Sequence, residues 1–181
     1  MKRNSLIMSV LMSGLILTFA ACSESNADAK ADSRPQKTAV KQDVPKAFNF
    51  SVTTLEGNNV SLDDYSGKVL ILDLWDTWCP PCKAEIPHFI DLYTRYESKG
   101  LEILGVAFGR EGEPAVRNFA KDYGVNYANA LANQELMNGF GPISSIPTTF
   151  VIDQNGGIYK KYIGYKEKSV FENDIKTLLN L

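Results

Sequence analysis

Apolar and polar residues follow two different periods from Phe48 onward, and the change between these periods predicts the order of the elements. Short apolar or alternating runs, typical of β-strands, are separated by stretches in which apolar residues recur about every 3.6 positions, as in amphipathic helices. The predicted strands occupy residues 69–75, 101–108, 126–130, 148–153 and 158–162. The predicted helices occupy residues 83–98, 113–123, 133–140 and 166–181. A β-hairpin is predicted before them, over residues 48–62, with its turn at residues 56–59.

This order of elements predicts an α/β fold. Strands that alternate with helices form a largely parallel sheet with helices on both faces. The run Val69–Trp75 is apolar except for Asp73, as expected for a central strand that is buried on both faces. The turn Gln154–Gly157 joins the last two predicted strands directly, so the sheet is expected to end in an antiparallel pair. Residues 47–181 have about the length of one typical domain and are predicted to form one.

Residues 1–21 have the pattern of an export signal. Lys2 and Arg3 supply a positive n-region, and a nearly unbroken apolar stretch runs from Leu6 to Ala21. That stretch is shorter than the roughly 20 apolar residues that a membrane-spanning helix needs. An export signal is therefore predicted rather than a transmembrane anchor.

Cys22 is the predicted lipidation site. The segment Phe19–Cys22 resembles the lipobox of bacterial lipoproteins, in which the signal is cut before the cysteine and the thiol carries a diacylglycerol. Phe19 departs from the leucine that is usual at its position, and an ordinary signal cut after Ala20 is the alternative. Two acyl chains are enough for stable anchoring in a membrane.

Residues 22–46 are predicted to form the lipidated cysteine and a flexible tether. From Ser23 to Lys46 the sequence is polar, without an aromatic residue and with almost no large aliphatic one. Such a segment cannot bury enough apolar surface to offset the conformational entropy that ordering would cost. It is expected to hold the folded domain away from a membrane.

Charge and cysteine content narrow the possible functions. The chain carries 19 Lys and Arg against 21 Asp and Glu, so its net charge of −2 gives no reason to expect a nucleic-acid partner. If Cys22 is lipidated, the folded domain keeps two of the 3 cysteines, spaced Cys-x-x-Cys. An exported disulfide framework would use more cysteines at wider spacings, and so short a loop adds little stability. Chemistry therefore explains the pair better than stabilisation.

Thiol–disulfide exchange is the chemistry that this pair favours. Cys79 and Cys82 lie between the apolar strand and an amphipathic helix. A thiol at a helix N-terminus faces unpaired N–H groups and the positive end of the helix dipole, and both favour the thiolate. Cys79 is thus the predicted nucleophile, and Cys82 is predicted to resolve the mixed disulfide. Zinc would need four ligands, which one cysteine pair and the single histidine do not supply; Cu(I) bound by two thiolates stays open.

Asp73, six residues before Cys79, is predicted to act in proton transfer. A carboxyl group in a buried strand has a raised pKa and tends to stay protonated. Cys82 must lose its proton to attack and regain one afterwards, which a nearby buried acid can supply. An aspartate that reaches solvent or caps a neighbour is the alternative.

From about Phe48 to Leu181 the chain resembles the thioredoxin fold, and more narrowly the membrane-tethered thiol–disulfide oxidoreductases of the TlpA/ResA type. The resemblance rests on three motifs in the right order: Trp75-x-x-Trp78-Cys79-Pro80-Pro81-Cys82-Lys83-x-Glu85-x-Pro87, Ser145-Ile146-Pro147-Thr148-Thr149-Phe150 and Val151-Ile152-Asp153-x-x-Gly156. It implies a thioredoxin fold with an N-terminal β-hairpin and an inserted strand–helix segment around residues 126–140.

The resemblance also implies a substrate-binding set. Pro147 corresponds to the cis-proline that lies beside the two cysteines in this fold, and the backbone of Ile146 would pair with the substrate chain. An X-Pro bond is the only kind for which the cis form costs little, about 0.5–1 kcal/mol. Trp78 is expected to shield Cys79, and Pro80 completes the predicted set.

The first motif also contains two acidic residues, Glu85 and Asp76. In the TlpA/ResA branch a glutamate at the position of Glu85 is associated with the active site; a solvated helix carboxylate is the alternative. Asp76 departs from the family, in which alanine is usual, and nothing in the sequence explains this departure.

The predicted function is an extracytoplasmic, lipid-anchored thiol–disulfide oxidoreductase that acts on protein disulfides without a cofactor or metal. The resemblance implies a reducing role, with apocytochrome c or another exported protein as client and a thiol-type electron donor in the membrane. The residues alone leave the direction of electron flow open, because redox poise depends on the stabilities of both states. One alternative is a peroxiredoxin-like peroxidase, which Asp76 disfavours because a Pro-x-x-x-Thr-x-x-Cys motif would have threonine there. The other is a non-enzymatic copper metallochaperone.

Overall fold

The computed structural model describes residues 45–181; the predicted signal peptide, Cys22 and nearly all of the predicted tether lie outside them. Within this part of the chain, the strands are β1 Ser51–Thr53, β2 Asn59–Ser61, β3 Val69–Trp75, β4 Leu101–Ala107, β5 Ala128–Leu131, β6 Thr148–Ile152 and β7 Ile158–Ile163. The α-helices are α1 Pro80–Tyr96, α2 Glu113–Asp122, α3 Gln134–Gly139 and α4 Lys168–Leu179. None of these helices is both long enough and apolar enough to cross a membrane.

A five-stranded sheet, in the order β5–β4–β3–β6–β7, forms the centre of the domain. β3, β4 and β5 run parallel, whereas β6 is antiparallel to β3 and β7 is antiparallel to β6. The predicted α/β fold, with its parallel centre and antiparallel edge, is confirmed. β1 and β2 pair separately as the predicted N-terminal hairpin. β5 and α3 form the predicted inserted segment.

β3 is the middle strand of this sheet, and every one of its residues is buried. Its side chains alternate between two cores, because successive residues of a strand point to opposite faces. The face that packs against the hairpin and α3 carries Leu70, Leu72 and Leu74. The face that packs against α1 and α4 carries Val69 and Ile71. Asp73 shares the parity of this second face and is therefore directed toward the layer of α1.

The active-site helix begins earlier than predicted. α1 starts at Pro80, not at residue 83, and Pro80 and Pro81 occupy its first turn. Proline is tolerated there because the N–H groups of the first turn have no partner within the helix. The prediction that began the helix after both prolines was therefore wrong by one turn, and the correction places Cys82 inside the helix rather than before it.

The chain enters the described domain beside the turn between β6 and β7. The N–H of Ile158 donates to the carbonyl of Pro45 and the N–H of Ala47 to that of Gly156, both at 2.8 Å. This turn lies at the amino-terminal end of β3, because the end of β6 pairs with Leu70. Cys79 follows the opposite, carboxyl-terminal end of β3. The point of entry and the cysteine pair thus lie at opposite ends of the sheet.

Candidate active site

Cys79 and Cys82 meet at the N-terminus of α1, joined as a disulfide with their Cα atoms 5.3 Å apart. Cys79 is the N-cap residue, and the N–H of Cys82 donates to its Sγ at 3.3 Å. Cys79 is the more exposed of the two only by a small margin, at 2% against 0%. A thiolate at Cys79 would receive this N–H and the positive end of the helix dipole, which lower the pKa of a thiol.

The second sequence motif folds against the first. The Ile146–Pro147 peptide bond is cis, as predicted. Ile146 packs against an apolar cluster that contains both cysteines together with Trp75. Pro147 is buried and leads directly into β6, the strand that pairs with β3. The loop before β6 therefore lies beside the cysteine pair.

A shallow apolar groove lies beside this loop, lined by Trp78, Phe108, Ile143, Ser145 and Ile146. Its two aromatic residues are exposed to solvent, Trp78 by 45% and Phe108 by 38%. Pro80, also exposed, is the first residue of α1. Phe108 was not singled out from the sequence, because it was predicted to be the last apolar residue of the strand over residues 101–108; in the structure β4 ends at Ala107, and the exposure of Phe108 is visible only in the fold.

Asp73 lies within β3 and is buried, as predicted. Its Oδ1 accepts a hydrogen bond from the Thr149 hydroxyl at 3.1 Å, on the strand that pairs with it in register. Its Oδ2 has no hydrogen-bond partner. Burial raises the pKa of Asp73 well above its usual value, and the negative charge of Glu85 adds to this, while the Thr149 hydrogen bond opposes it. The alternatives in which Asp73 reaches solvent or caps a neighbour are therefore wrong.

Glu85 lies one turn after Cys82 on α1 and is also fully buried. The backbone N–H of Lys166, in the loop between β7 and α4, donates to its Oε1, and its Oε2 has no partner. Burial raises the pKa of Glu85 to about 7, against the opposing effects of the Lys166 hydrogen bond and charge. Glu85 is therefore not the solvated helix carboxylate of the alternative interpretation.

Tyr127 belongs to the same buried group, although sequence reasoning missed it. Burial raises the pKa of Tyr127 well above its usual value, and the negative charges of Asp73 and Glu85 raise it further. The tyrosine precedes β5 without any motif around it, so only the fold shows that it lies near both acids. Two acids and a phenol thus gather in the layer between β3 and α1, where protons can be exchanged with a thiol.

Asp76, which the sequence left without an explanation, lies inside the active-site loop. Its side chain is fully buried. The N–H groups that surround it explain why a carboxylate is tolerated there: buried polar groups are stable when their hydrogen bonds are made. Asp76 therefore belongs to the interior of the active-site loop rather than to the charge pattern of the surface.

Within residues 45–181 no three His, Cys, Asp or Glu side chains are placed to hold a metal ion together. Two sulfur atoms at a helix N-terminus carry the chemistry that the site can perform, and the carboxyl groups of Asp73 and Glu85 are buried nearby in the layer between β3 and α1. Electrons can pass from this pair to another disulfide by successive attack of one sulfur on the next. The fold and the site together define a thioredoxin-fold thiol–disulfide oxidoreductase.

Comparison with known proteins supports this class and narrows it. Residues 43–161 match the family model described as AhpC/TSA family. The thiol-disulfide oxidoreductase ResA of Bacillus thuringiensis (strain Al Hakam) is 34% identical over 178 residues, covering 98% of this chain and 99% of the relative. ResA of Bacillus subtilis (strain 168) is 36% identical over 127 residues, 70% of each chain. The chain belongs to the AhpC/TSA family and, within it, to the ResA-type thiol–disulfide oxidoreductases.

Solved structures agree with this assignment. A thiol:disulfide interchange protein of the thioredoxin family from Chlorobium tepidum TLS superposes with a TM-score of 0.70 at 34% sequence identity, covering 75% of this chain and 97% of its own. StoA from Bacillus subtilis superposes with a TM-score of 0.60 at 30% identity, covering 69% and 94% of the two chains. The predicted thioredoxin fold is confirmed.

Proposed function

We propose that this protein is an extracytoplasmic, lipid-anchored oxidoreductase that reduces disulfides in exported proteins. The observation that carries the proposal is the Cys79–Cys82 pair at the N-terminus of α1 together with the buried carboxyl groups of Asp73 and Glu85, each of which has one oxygen without a hydrogen-bond partner. A disulfide that only stabilised the fold would need no proton acceptor near it. A pair that opens and closes in each cycle does need one.

In the proposed cycle, the Cys79 thiolate attacks one sulfur of the substrate disulfide. The Cys79 Sγ–S bond forms, the substrate S–S bond breaks, and the leaving thiolate takes up a proton. Cys82 then loses its proton to Asp73 and attacks Cys79 Sγ, which breaks the mixed disulfide; the second substrate sulfur leaves as a thiolate and takes up a proton, and Asp73 gives up the one it accepted. Two electrons pass to the substrate, and the Cys79–Cys82 disulfide remains. A raised pKa makes Asp73 a better match for a thiol than an ordinary carboxylate would be.

The proposed docking site for the substrate chain is the groove beside Cys79. Trp78, Phe108 and Ile143 offer apolar surface to residues that flank a disulfide. The backbone of Ile146, before the cis peptide bond, is proposed to pair with the substrate chain, as the resemblance to the thioredoxin fold implies. Pro80 is proposed to contact the substrate as well, since it is exposed next to Cys79.

A reducing role is proposed on the resemblance to the TlpA/ResA type, with apocytochrome c or another exported protein as client and a thiol-type donor in the membrane. The redox potential of the Cys79/Cys82 couple tests it, measured by equilibration with glutathione or dithiol buffers. We expect a value nearer to that of thioredoxin, about −270 mV, than to that of strong periplasmic oxidants, about −120 mV. A value near the oxidant end would contradict the reducing role while leaving thiol–disulfide exchange in place.

Anchoring through Cys22 is proposed from the lipobox-like segment Phe19–Cys22, which lies outside the described residues. We expect the Cys22→Ala variant to lose labelling by a radioactive or alkyne-tagged fatty acid and to leave the membrane fraction or stay unprocessed. Its purified domain should keep the wild-type rate of thiol–disulfide exchange, because Cys22 is not part of the active site. Wild-type protein that is soluble, with an unmodified N-terminus, would refute the anchor.

A further inference from the structure

The side chain of Asp76 lies where two loops leave the sheet side by side. β3 and β4 are parallel neighbours that end together, with Trp75 opposite Ala107. The N–H of Phe108 donates to the carbonyl of Trp75 at 3.1 Å and continues the pairing by one step. The active-site loop, residues 76–79, and the neighbouring loop, residues 108–112, therefore start at the same edge of the sheet.

Three N–H groups converge on the Asp76 carboxylate. Within its own loop, Oδ1 accepts from the backbone N–H of Thr77 at 2.8 Å, and Oδ2 accepts from the indole Nε1 of Trp78 at 2.9 Å. From the neighbouring loop, the backbone N–H of Arg110 donates to the same Oδ2 at 3.1 Å. One oxygen thus joins the Trp78 ring to the backbone of the other loop.

Further contacts hold the two loops together around this carboxylate. The Thr77 hydroxyl lies 2.5 Å from Glu111 Oε2 and 3.3 Å from Asp76 Oδ1; its single hydrogen is best used for the shorter contact. The Arg110 guanidinium lies 5.6 Å from the centre of the Trp78 ring, within the range of a cation–π interaction. The indole is therefore held at its N–H by Asp76 and on its face by Arg110.

Gly109 gives the neighbouring loop a backbone conformation that other residues rarely adopt. Its φ angle is +66°, in the left-handed region that favours glycine. A Cβ atom at this position would lie only 2.7 Å from Leu131 Cδ2. The conformation that aims the Arg110 N–H at Asp76 is thus built into the backbone and does not depend on a flexible side chain.

The two loops carry the two exposed aromatic residues of the groove. Trp78 belongs to the active-site loop and Phe108 to the neighbouring loop. We propose that Asp76 is a positioning residue that fixes the spacing of Trp78 and Phe108, and so sets the affinity of the site for disulfides carried by protein chains. This inference rests on the proposed docking of protein substrates in the groove.

The physical reason is pre-organisation. Side chains that are already fixed lose little conformational freedom when a partner binds, whereas mobile ones must be ordered at that moment. Removing the carboxylate would release the Trp78 indole and break the link from Trp78 to the loop that carries Phe108, so the spacing of the two rings would no longer be fixed and docking of an extended chain would weaken. A small disulfide that only needs access to Cys79 has little contact with the groove, and its exchange rate should hardly change.

The test compares Asp76→Ala with Asp76→Asn in the full chain, using insulin as the protein disulfide and hydroxyethyl disulfide as the small one. We expect the alanine variant to raise KM for insulin about tenfold with kcat changed less than about twofold, and to leave the rate with hydroxyethyl disulfide within about twofold. Asparagine should restore part of the loss, because its carbonyl oxygen can take the place of Oδ2 and keep the Trp78 and Arg110 hydrogen bonds, whereas its NH2 group cannot accept from the Thr77 N–H.

Iodide quenching of tryptophan fluorescence gives a second readout. Trp78 is exposed whereas Trp75 is buried, so quenching reports on Trp78, and it should increase in Asp76→Ala but not in Asp76→Asn. Trp78→Phe keeps an aromatic ring without the N–H and should also raise KM for insulin. In the Trp78→Phe background, Asp76→Ala should raise KM for insulin by less than it does in the wild type, because the hydrogen bond between the indole and Asp76 is already lost. If the alanine variant does not fold, Trp78→Phe and Asp76→Asn carry the test: an unchanged KM for insulin in Trp78→Phe would then overturn the inference.

Several results would overturn the inference. An unchanged KM for insulin in Asp76→Ala would remove the positioning role. Equal loss with insulin and hydroxyethyl disulfide, or a shifted redox potential of the cysteine pair, would show that Asp76 acts on the thiols instead. Wild-type protein that exchanges with the small disulfide but does not reduce insulin would contradict the proposed function itself, before any variant is compared.

Discussion

Serine in place of Cys82 is expected to trap the protein on its substrate as a mixed disulfide through Cys79. The variant keeps the nucleophile at the helix N-terminus but lacks the thiol that resolves the intermediate. Turnover with protein disulfides should fall by at least about 10³-fold, as for other enzymes that lose one member of a catalytic pair. Non-reducing electrophoresis and mass spectrometry of the trapped species measure the effect directly.

The matched control is Cys79→Ser, which leaves the fully buried Cys82 as the only thiol of the pair. It should trap little substrate, because the remaining sulfur is inside the helix and less accessible. Both variants are best compared in a Cys22→Ser background, so that an unlipidated third cysteine cannot form disulfides of its own. Equal trapping by the two variants would contradict the assignment of Cys79 as the attacking thiol.

Asp73→Asn is expected to slow resolution of the mixed disulfide about 10²-fold near neutral pH, while attack by Cys79 is less affected. The amide fills the same space but cannot accept the proton of Cys82. The pH profile of resolution should lose the limb that belongs to the carboxyl group. If stopped-flow profiles of the wild type and the variant superimpose, Asp73 has no part in catalysis.

The same substitution should change how folding stability depends on pH. Because the pKa of Asp73 is raised in the folded state, the native protein binds more protons than the unfolded chain between the ordinary pKa near 3.8 and the raised one. The contribution of Asp73 to wild-type stability is therefore fully present below the ordinary pKa and is lost as the pH rises through that interval. The variant should lack this loss, so that it is at least as stable as the wild type and its advantage grows with pH in urea denaturation.

Glu85→Gln is the matched control for Asp73→Asn. Glu85 is the second cause of the raised pKa of Asp73, after burial. Removing its charge should lower the pKa of Asp73 and shift the acidic limb of the resolution profile to lower pH without abolishing it. If Glu85→Gln removes the acidic limb and Asp73→Asn does not, Glu85 rather than Asp73 accepts the proton of Cys82.

Much of the fold follows from local patterns. The apolar run at Val69–Trp75 and the periodic apolar positions of α1 and α4 are strong signals, because burial on two faces and burial on one face leave different spacings. The start of α1 at Pro80 was missed because proline usually breaks a helix, although the first turn of a helix tolerates it. Such boundaries depend on which N–H groups lack partners, and a periodic pattern does not contain that information.

The candidate site also contains some residues that the sequence reveals and others that only the fold reveals. Cys79, Cys82 and Asp73 are recognisable from their neighbours in sequence, because helix position and strand burial decide their chemistry. Thr149, the hydrogen-bond partner of Asp73, lies 76 residues away in the chain, and its role appears only when β6 pairs with β3. Asp76 is covered by a loop that is distant in sequence: Arg110, which donates to it, lies 34 residues further along the chain.

The entry of the chain at the end of the sheet opposite Cys79 has a consequence for how a tethered domain meets its partners. If the proposed anchor at Cys22 holds, a domain attached at that end can turn its reactive face away from the membrane, because the tether joins the opposite end of the sheet. Soluble clients reach the thiols directly, whereas a donor embedded in the membrane meets them only after the domain has turned over. Under the proposed anchor, oxidation and re-reduction therefore require opposite orientations of one body, and its reorientation on the tether becomes a step of the catalytic cycle.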